Sequence, residues 1–341
     1  MSSLSKARIG IVTWDSPPFT GGLGKAMLIL EEDLRAMGAT VTVLSPSTHR
    51  LLRITKNIGG HLLMSLLLPL ILSQWTSAHS ITLLIIPGGP GGLFLFGKPK
   101  RSSLVYLCYH TYLQQAAFVP GEAWKRIFIP LETASYHKAD RVCCFSNDAM
   151  QVLLNDYGLP SAQFLLQSFD PAEWETRGME RDPDLCVCAA RVDRRKGVDV
   201  LLQAWENVKK NIPTAKLVIT GQHSRLSEEE FHNLLHRASI AVCPSYLEGF
   251  GLACTEALAA GTTVVASDCD GLRSLVSHQK TGVLVPPGDR DALADAITTL
   301  LRNAQERSTL SRNAKCDITQ RFSRSRARDQ LQAALSPLCS V

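Results

Sequence analysis

The sequence predicts an α/β protein made of two successive doubly wound parallel sheets. Strand and helix signals alternate along the chain, as they do where helices cross between parallel strands. The alternation is interrupted at the polar, irregular stretch Glu173–Asp184 and then restarts. The length, 341 residues, suits two domains of roughly 150 residues each. The expected boundaries are 1–172 for a first domain and 173–321 for a second. A C-terminal helix, 322–341, is expected to pack back on the first. Two such halves predict a cleft between them, with ligands at the carboxyl ends of the strands.

The first half reads in order. Arg8–Thr13 is a strand, followed by the glycine loop Thr20-Gly21-Gly22-Leu23-Gly24 and an amphipathic helix to about Met37, stopped by Gly38. Thr40–Leu44 is the next strand, and a long apolar helix is expected near 49–74. Ile81–Ile86 is a strand ended by the turn Pro87–Gly92. Leu104–Tyr109 and Arg141–Phe145 are strands, with a helix closing at Tyr136–Ala139 between them. Asn147 is expected to cap a helix to Tyr157, and Gln163–Gln167 to be the last strand. In the second half, strands are expected at 185–190, 215–220, 240–243, 263–266 and 282–285. Helices are expected at 198–210, 228–238 and 252–260, with two or three more at the end. Ser227 followed by Glu230 is a capping box.

Composition narrows the function. Hydrophobic residues make 45% and charged residues 20%, an ordinary globular balance. The net charge of +5 is too small to argue for nucleic acid, and no nucleic-acid partner is expected. Most of the excess lies in the first half. Between Asp33 and Glu122 there is no acid, but there are seven bases: Arg35, Arg50, Arg53, Lys56, Lys98, Lys100 and Arg101. Such a stretch presents a positive field unless acids from elsewhere cancel it. The ten cysteines sit in apolar runs and read as buried thiols of a reducing compartment. Residues 57–97 carry no charge, but the leucine-rich block His61–Leu72 is too short to span a membrane, which takes roughly 20 apolar residues. It is either a buried helix or one lying in a membrane interface.

Two clusters could carry chemistry. In Pro244–Glu256 a strand gives way to a turn with two glycines and then to a helix beginning near Gly251. The free amides at that helix start suit an anion. Glu248 and Glu256, eight positions apart, can accept from vicinal sugar hydroxyls or act as acid and base. The second cluster, Ala190–Gly197, places Arg191 and Lys196 around another strand end, where both can neutralise a diphosphate.

Arg191 and Lys196-Gly197, followed by Glu248-Gly249-Phe250-Gly251-Leu252 and Glu256, resemble the donor site of the family-4 retaining glycosyltransferases. Ala260–Ser267 and Thr281–Asp289 resemble the same pattern. The resemblance implies the GT-B fold, two Rossmann-like domains facing across a cleft. It implies a retaining, metal-independent transfer of a hexose from a nucleotide diphosphate sugar, with no cofactor. Arg191 and Lys196 would hold the diphosphate, and the Gly249–Leu252 backbone, with Phe250 and Gly251, would cradle phosphate and sugar. Glu248 would meet sugar hydroxyls and Glu256 the ribose. In the first half, Gly22 and Gly24 resemble the loop against the donor phosphate, and His110 resembles the histidine near the anomeric carbon.

The acceptor is expected to be a sugar, a small molecule or a lipid-linked or cell-envelope glycan. The site of action is expected in the cytoplasm, peripheral to an anionic inner membrane face. The sequence departs from the family pattern in the short connection Gly221–Ile240, in Arg273-Ser274 and in Ser168–Pro171. These departures motivate an alternative, a catalytically silent scaffold of the same fold. A dinucleotide oxidoreductase is disfavoured, because Gly21–Gly24 lacks the required glycine spacing. Asp268 and Asp270 only superficially resemble a metal-binding pair.

Overall fold

The computed structural model describes residues 3–15, 21–56, 60–95, 97–175, 178–222 and 226–339. The chain forms two compact units: Met1–Ala117 with Gly121–Ser168 and Arg324–Val341, and Phe118–Pro120 with Phe169–Ser323.

The first unit holds a parallel sheet of β1 (Arg8–Val12), β2 (Thr40–Leu44), β3 (Leu83–Pro87), β4 (Ser103–Cys108), β5 (Arg141–Cys144) and β6 (Gln163–Phe164). Their order is β2-β1-β3-β4-β5-β6. The central strand β3 is buried at every position, which is why it reads as an unbroken apolar run. Its helices are α1 (Gly22–Ala36), α2 (Gly60–Ala78), α3 (Tyr112–Phe118), α4 (Ile129–Tyr136) and α5 (Asn147–Asn155). Two expectations are corrected here. The segment 49–74 is not one helix: Leu51–Lys56 is a 3-10 turn, 57–59 lie outside the described residues, and α2 runs on to Ala78. The cap of α5 is Ser146 rather than Asn147, since the Ser146 hydroxyl accepts from the Ala149 amide at 3.2 Å.

The second unit holds a parallel sheet of β7 (Asp182–Cys188), β8 (Lys216–Ile219), β9 (Ala238–Cys243), β10 (Thr263–Ser267) and β11 (Val283–Val285), in the order β11-β10-β9-β7-β8. Its helices are α6 (Val198–Asn211), α7 (Glu228–Arg237), α8 (Leu252–Ala259), α9 (Asp270–Leu275), α10 (Arg290–Arg302) and α11 (Ala304–Arg321). The Ser227 capping box forms reciprocally with Glu230. The stretch expected to be an irregular linker is partly structured. Pro171–Trp174 is a 3-10 turn whose buried Trp174 stacks on His232 at 4.2 Å, and β7 already begins at Asp182. In the shortened connection, Thr220–Gln222 is a 3-10 turn following β8, and 223–225 lie outside the described residues.

The last helix, α12 (Arg324–Leu335), belongs to the first unit. Arg324 and Arg328 both donate to the buried Asp33 of α1 at 2.7 Å, and Arg324 also reaches Glu32 at 2.6 Å. Gln330 accepts from the Leu166 amide at 2.8 Å.

Candidate functional site

In the second sheet β7 lies between β8 and β9, so the connections leaving its carboxyl end and that of β9 diverge. A doubly wound sheet opens a crevice at such a switch point. The loop after β7 carries Arg191, Asp193, Arg195 and Lys196, and the loop after β9 carries Ser245 to Gly251. These are the two clusters that the sequence singles out, now side by side.

Backbone constraints hold the two loops together. The Tyr246 amide donates to the Arg195 carbonyl at 2.8 Å. Gly197 adopts φ +61°, and a Cβ there would collide with the Pro244 carbonyl, so only glycine lets the loops meet. Gly251, at φ +93°, starts α8 where a side chain would press on Leu272 and Leu275. The Glu248 carbonyl accepts from the Gly271 amide at 3.0 Å, fixing the loop to α9.

The centre of the site is Glu248. Its carboxylate accepts from Lys196 Nζ at 2.5 Å and from Ser245 Oγ at 2.8 Å, and Arg195 Nη1 lies 3.6 Å away. Burial alone would raise its pKa. The Lys196 and Arg195 charges, with the hydrogen bonds from Lys196 and Ser245, prevail and bring it down to about 2. Arg191 does not join this cluster. It is half exposed and pairs with Asp193 at 3.4 Å, while Asp193 caps the Arg194–Lys196 turn through the Lys196 amide. Glu256 is buried on the second turn of α8. Phe250 points inward and meets Phe322 edge-on at 5.5 Å, so it shapes the loop with its ring in the core. Gly249 and Leu252 flank it at the helix start. Nearby thiols, Cys188 and Cys269, are pushed well up by burial and are poor nucleophiles. Asp268 is held by Arg273 at 2.6 Å.

The remaining predicted residues lie in the first unit. His110 follows the carboxyl end of β4, and its Nδ1 is 3.0 Å from Gln115 Nε2. Gln115 in turn accepts from Lys125 Nζ at 2.5 Å. Gly22 and Gly24 form the first turn of α1, while Thr20 of the same predicted loop lies outside the described residues. An anion already sits on this helix start: Asp15 accepts from the Gly21 and Gly24 amides at 3.0 and 3.1 Å.

Sequence reasoning gave no role to Arg195, Ser245, Asp15 or Glu132. Glu132 on α4 is buried, accepts from the Tyr112 amide at 2.8 Å and Tyr157 OH at 2.5 Å, and thereby anchors the segment just after His110. Burial raises its pKa to about 7 against these hydrogen bonds. Its only sequence signal is a lone acid in the otherwise uncharged Ile129–Tyr136.

The chain resembles known proteins in sequence and in fold. Residues 183–303 match the family described as glycosyl transferases group 1, a little over a third of the chain. An uncharacterized glycosyltransferase of Methanocaldococcus jannaschii is 26% identical over 223 residues, covering 56% of this chain and 55% of that protein. The chain spans about half the length of the curated relatives it matches. The structure of sucrose-phosphate synthase from Thermosynechococcus elongatus superposes with a TM-score of 0.78 at 19% identity, covering 97% of this chain and 99% of that one. Anabaena HepE in complex with UDP-glucose gives 0.69 at 19% identity, covering 97% and 99%. The fold is thus GT-B, with two Rossmann-like α/β units, and the second unit carries the resemblance to group 1 glycosyltransferases.

Proposed function

We propose that the protein is a retaining, metal-independent glycosyltransferase that moves a hexose from a nucleotide diphosphate sugar to an acceptor. The observation that carries this is the meeting of Lys196, Arg195 and Glu248 with the start of α8 at the β7–β9 switch point. A doubly negative diphosphate finds there what stabilises it: the Lys196 cation, with Arg191 and Arg195 on the same loop, and the first amides of a helix. Anabaena HepE, which shares the fold, binds UDP-glucose.

In this reading Lys196 exchanges its bond with Glu248 for a phosphate oxygen, and Arg191 turns from Asp193 to the same group. Glu248, still flanked by Arg195 and Ser245, then accepts from the sugar hydroxyls, and Glu256 accepts from the ribose. The Gly249–Leu252 backbone lies against phosphate and sugar. Gly22, Gly24 and His110 keep the roles that the resemblance implies for them, the loop against the donor phosphate and the histidine near the anomeric carbon. As the glycosidic bond breaks, negative charge grows on the leaving diphosphate, where Lys196 and Arg191 stabilise it. The acceptor hydroxyl attacks on the leaving-group face and passes its proton to the departing phosphate oxygen, so the configuration is retained and no protein nucleophile is needed. The cations do the work a metal would otherwise do, and no cofactor enters.

The acceptor is a sugar, a small molecule or a lipid-linked or cell-envelope glycan, and the protein works in the cytoplasm at the inner face of a membrane. Seven of the ten cysteines are buried free thiols, which suits a reducing compartment, while Cys316 is exposed and Cys243 and Cys339 are only partly buried, against the expectation that all ten are buried. The test is a screen of common nucleotide sugars in chelator, with and without membrane extract. The reading expects release of a nucleoside diphosphate from at least one donor and a product with the donor's anomeric configuration. No release from any donor would favour a silent scaffold.

A further inference from the structure

Among the described residues, eleven large apolar side chains are exposed, and five of them fall between positions 51 and 70. Leu51 and Ile54 lie on the 3-10 turn Leu51–Lys56, which packs against α2. Leu62, Leu66 and Leu70 follow at four-residue spacing on α2, which places them on one face of that helix. Leu70 is 74% exposed and Ile54 54%. The opposite face of α2, with Met64, Leu68, Ile71, Leu72 and Trp75, is buried in the first unit's core. The core therefore already has its share of this apolar segment, and the outer leucines are surplus to folding.

Charge on the same segment is one-sided. Of the seven bases between Asp33 and Glu122, Lys98 is paired with Asp140 at 2.6 Å and Arg35 with Glu31 at 2.8 Å. Arg50, just before the turn, and Arg53 within it are exposed next in sequence to Leu51 and Ile54, and have no side-chain partner among the described residues. Among the described residues no helix is long and apolar enough to cross a membrane. An apolar stripe edged by uncompensated guanidinium groups is complementary to one kind of surface: acyl chains beneath anionic headgroups.

We propose that the Leu51–Lys56 turn and the outer face of α2 form a docking surface for anionic phospholipid bilayers. Leu62, Leu66 and Leu70 enter the acyl boundary, and Arg50 and Arg53 meet the headgroup phosphates. This deepens the reading of a membrane-borne acceptor, and rests on that reading only for its purpose.

The test is flotation of the full chain with vesicles of phosphatidylcholine alone or mixed with phosphatidylglycerol, at low and high salt. The expected result is binding to the mixed vesicles, weakened by salt and weak with phosphatidylcholine alone. Arg50→Gln with Arg53→Gln should lower partitioning on the order of ten- to thirty-fold, from the usual contribution of a basic residue near an anionic surface. Leu66→Ser with Leu70→Ser, at solvent-exposed positions that leave the core intact, should abolish it while thermal melting stays at the wild-type temperature. Absence of co-flotation at low salt overturns the proposal. So does light scattering that shows a dimer dissociated by the leucine substitutions, which would give the face to a second copy of the chain. Melting with nucleoside diphosphates, run without vesicles, reads the donor site separately, so either idea can fail alone.

Discussion

Two buried glutamates respond to pH in opposite directions. Glu248 is lowered from 4.5 to about 2, so the folded chain binds its proton more weakly than the unfolded chain does. Its contribution to stability is complete above the ordinary carboxylate range and is lost as pH falls from 4.5 toward 2. Glu132 is raised from 4.5 to about 7, so the folded chain binds that proton more tightly. Its contribution is present at acid pH and is lost as pH rises from 4.5 through 7, by about 3 kcal/mol at most. Melting temperatures across pH should show Glu132→Gln flattening the neutral side and Glu248→Gln the acid side. An unchanged profile in either variant would remove the environment assigned to that residue. The paired glutamates and the basic loop were legible in the sequence because each is a short local pattern. The Lys196–Glu248 bond was not, because 52 positions separate its partners and only the sheet order brings them together.

At the scale of elements, the glycines decide how closely the two site loops approach. Gly197→Ala adds an unfavourable left-handed backbone, worth roughly 1–2 kcal/mol, to a collision with the Pro244 carbonyl. The expected outcome is a lower melting temperature together with weaker nucleoside diphosphate binding. Binding unchanged in a folded variant would show that the loops need not touch. The alternation of strands and helices was readable because buried parallel strands are apolar throughout and their crossovers are amphipathic. The segment 49–74 was misread because leucine-rich runs have no polar face to mark where a helix starts or which side is covered. Trp174 was missed for the opposite reason: its polar neighbours disguised a buried ring.

Across the whole molecule, the chain returns to its first unit at the end. Asp33, 1% exposed on α1, receives Arg324 and Arg328 from α12. Removing the carboxylate takes one partner from each of two partly exposed guanidinium groups, of which Arg324 keeps Glu32, so the loss is that of charge-assisted hydrogen bonds, about 1.5–3 kcal/mol. Asp33→Ala should therefore lower the stability of the first unit, with faster amide exchange in α1 and α12. Protection in α12 equal to wild type would mean that the helix is held by its apolar contacts alone. That the chain falls into two sheets was legible from its length and from the break in periodicity. Asp33 was not, because in sequence it is one more acid on an amphipathic helix, and its partners lie some 290 positions away.

The most direct test of the central claim is calorimetric titration of nucleoside diphosphates into the protein in the presence of a chelator. The account predicts that at least one binds the wild type. It also predicts that Lys196→Ala weakens this binding about ten- to a hundredfold, the usual loss of a charge-assisted hydrogen bond, and that Glu256→Ala weakens it as well. Equal affinity in wild type and both variants would contradict the placement of the donor at the β7–β9 switch point.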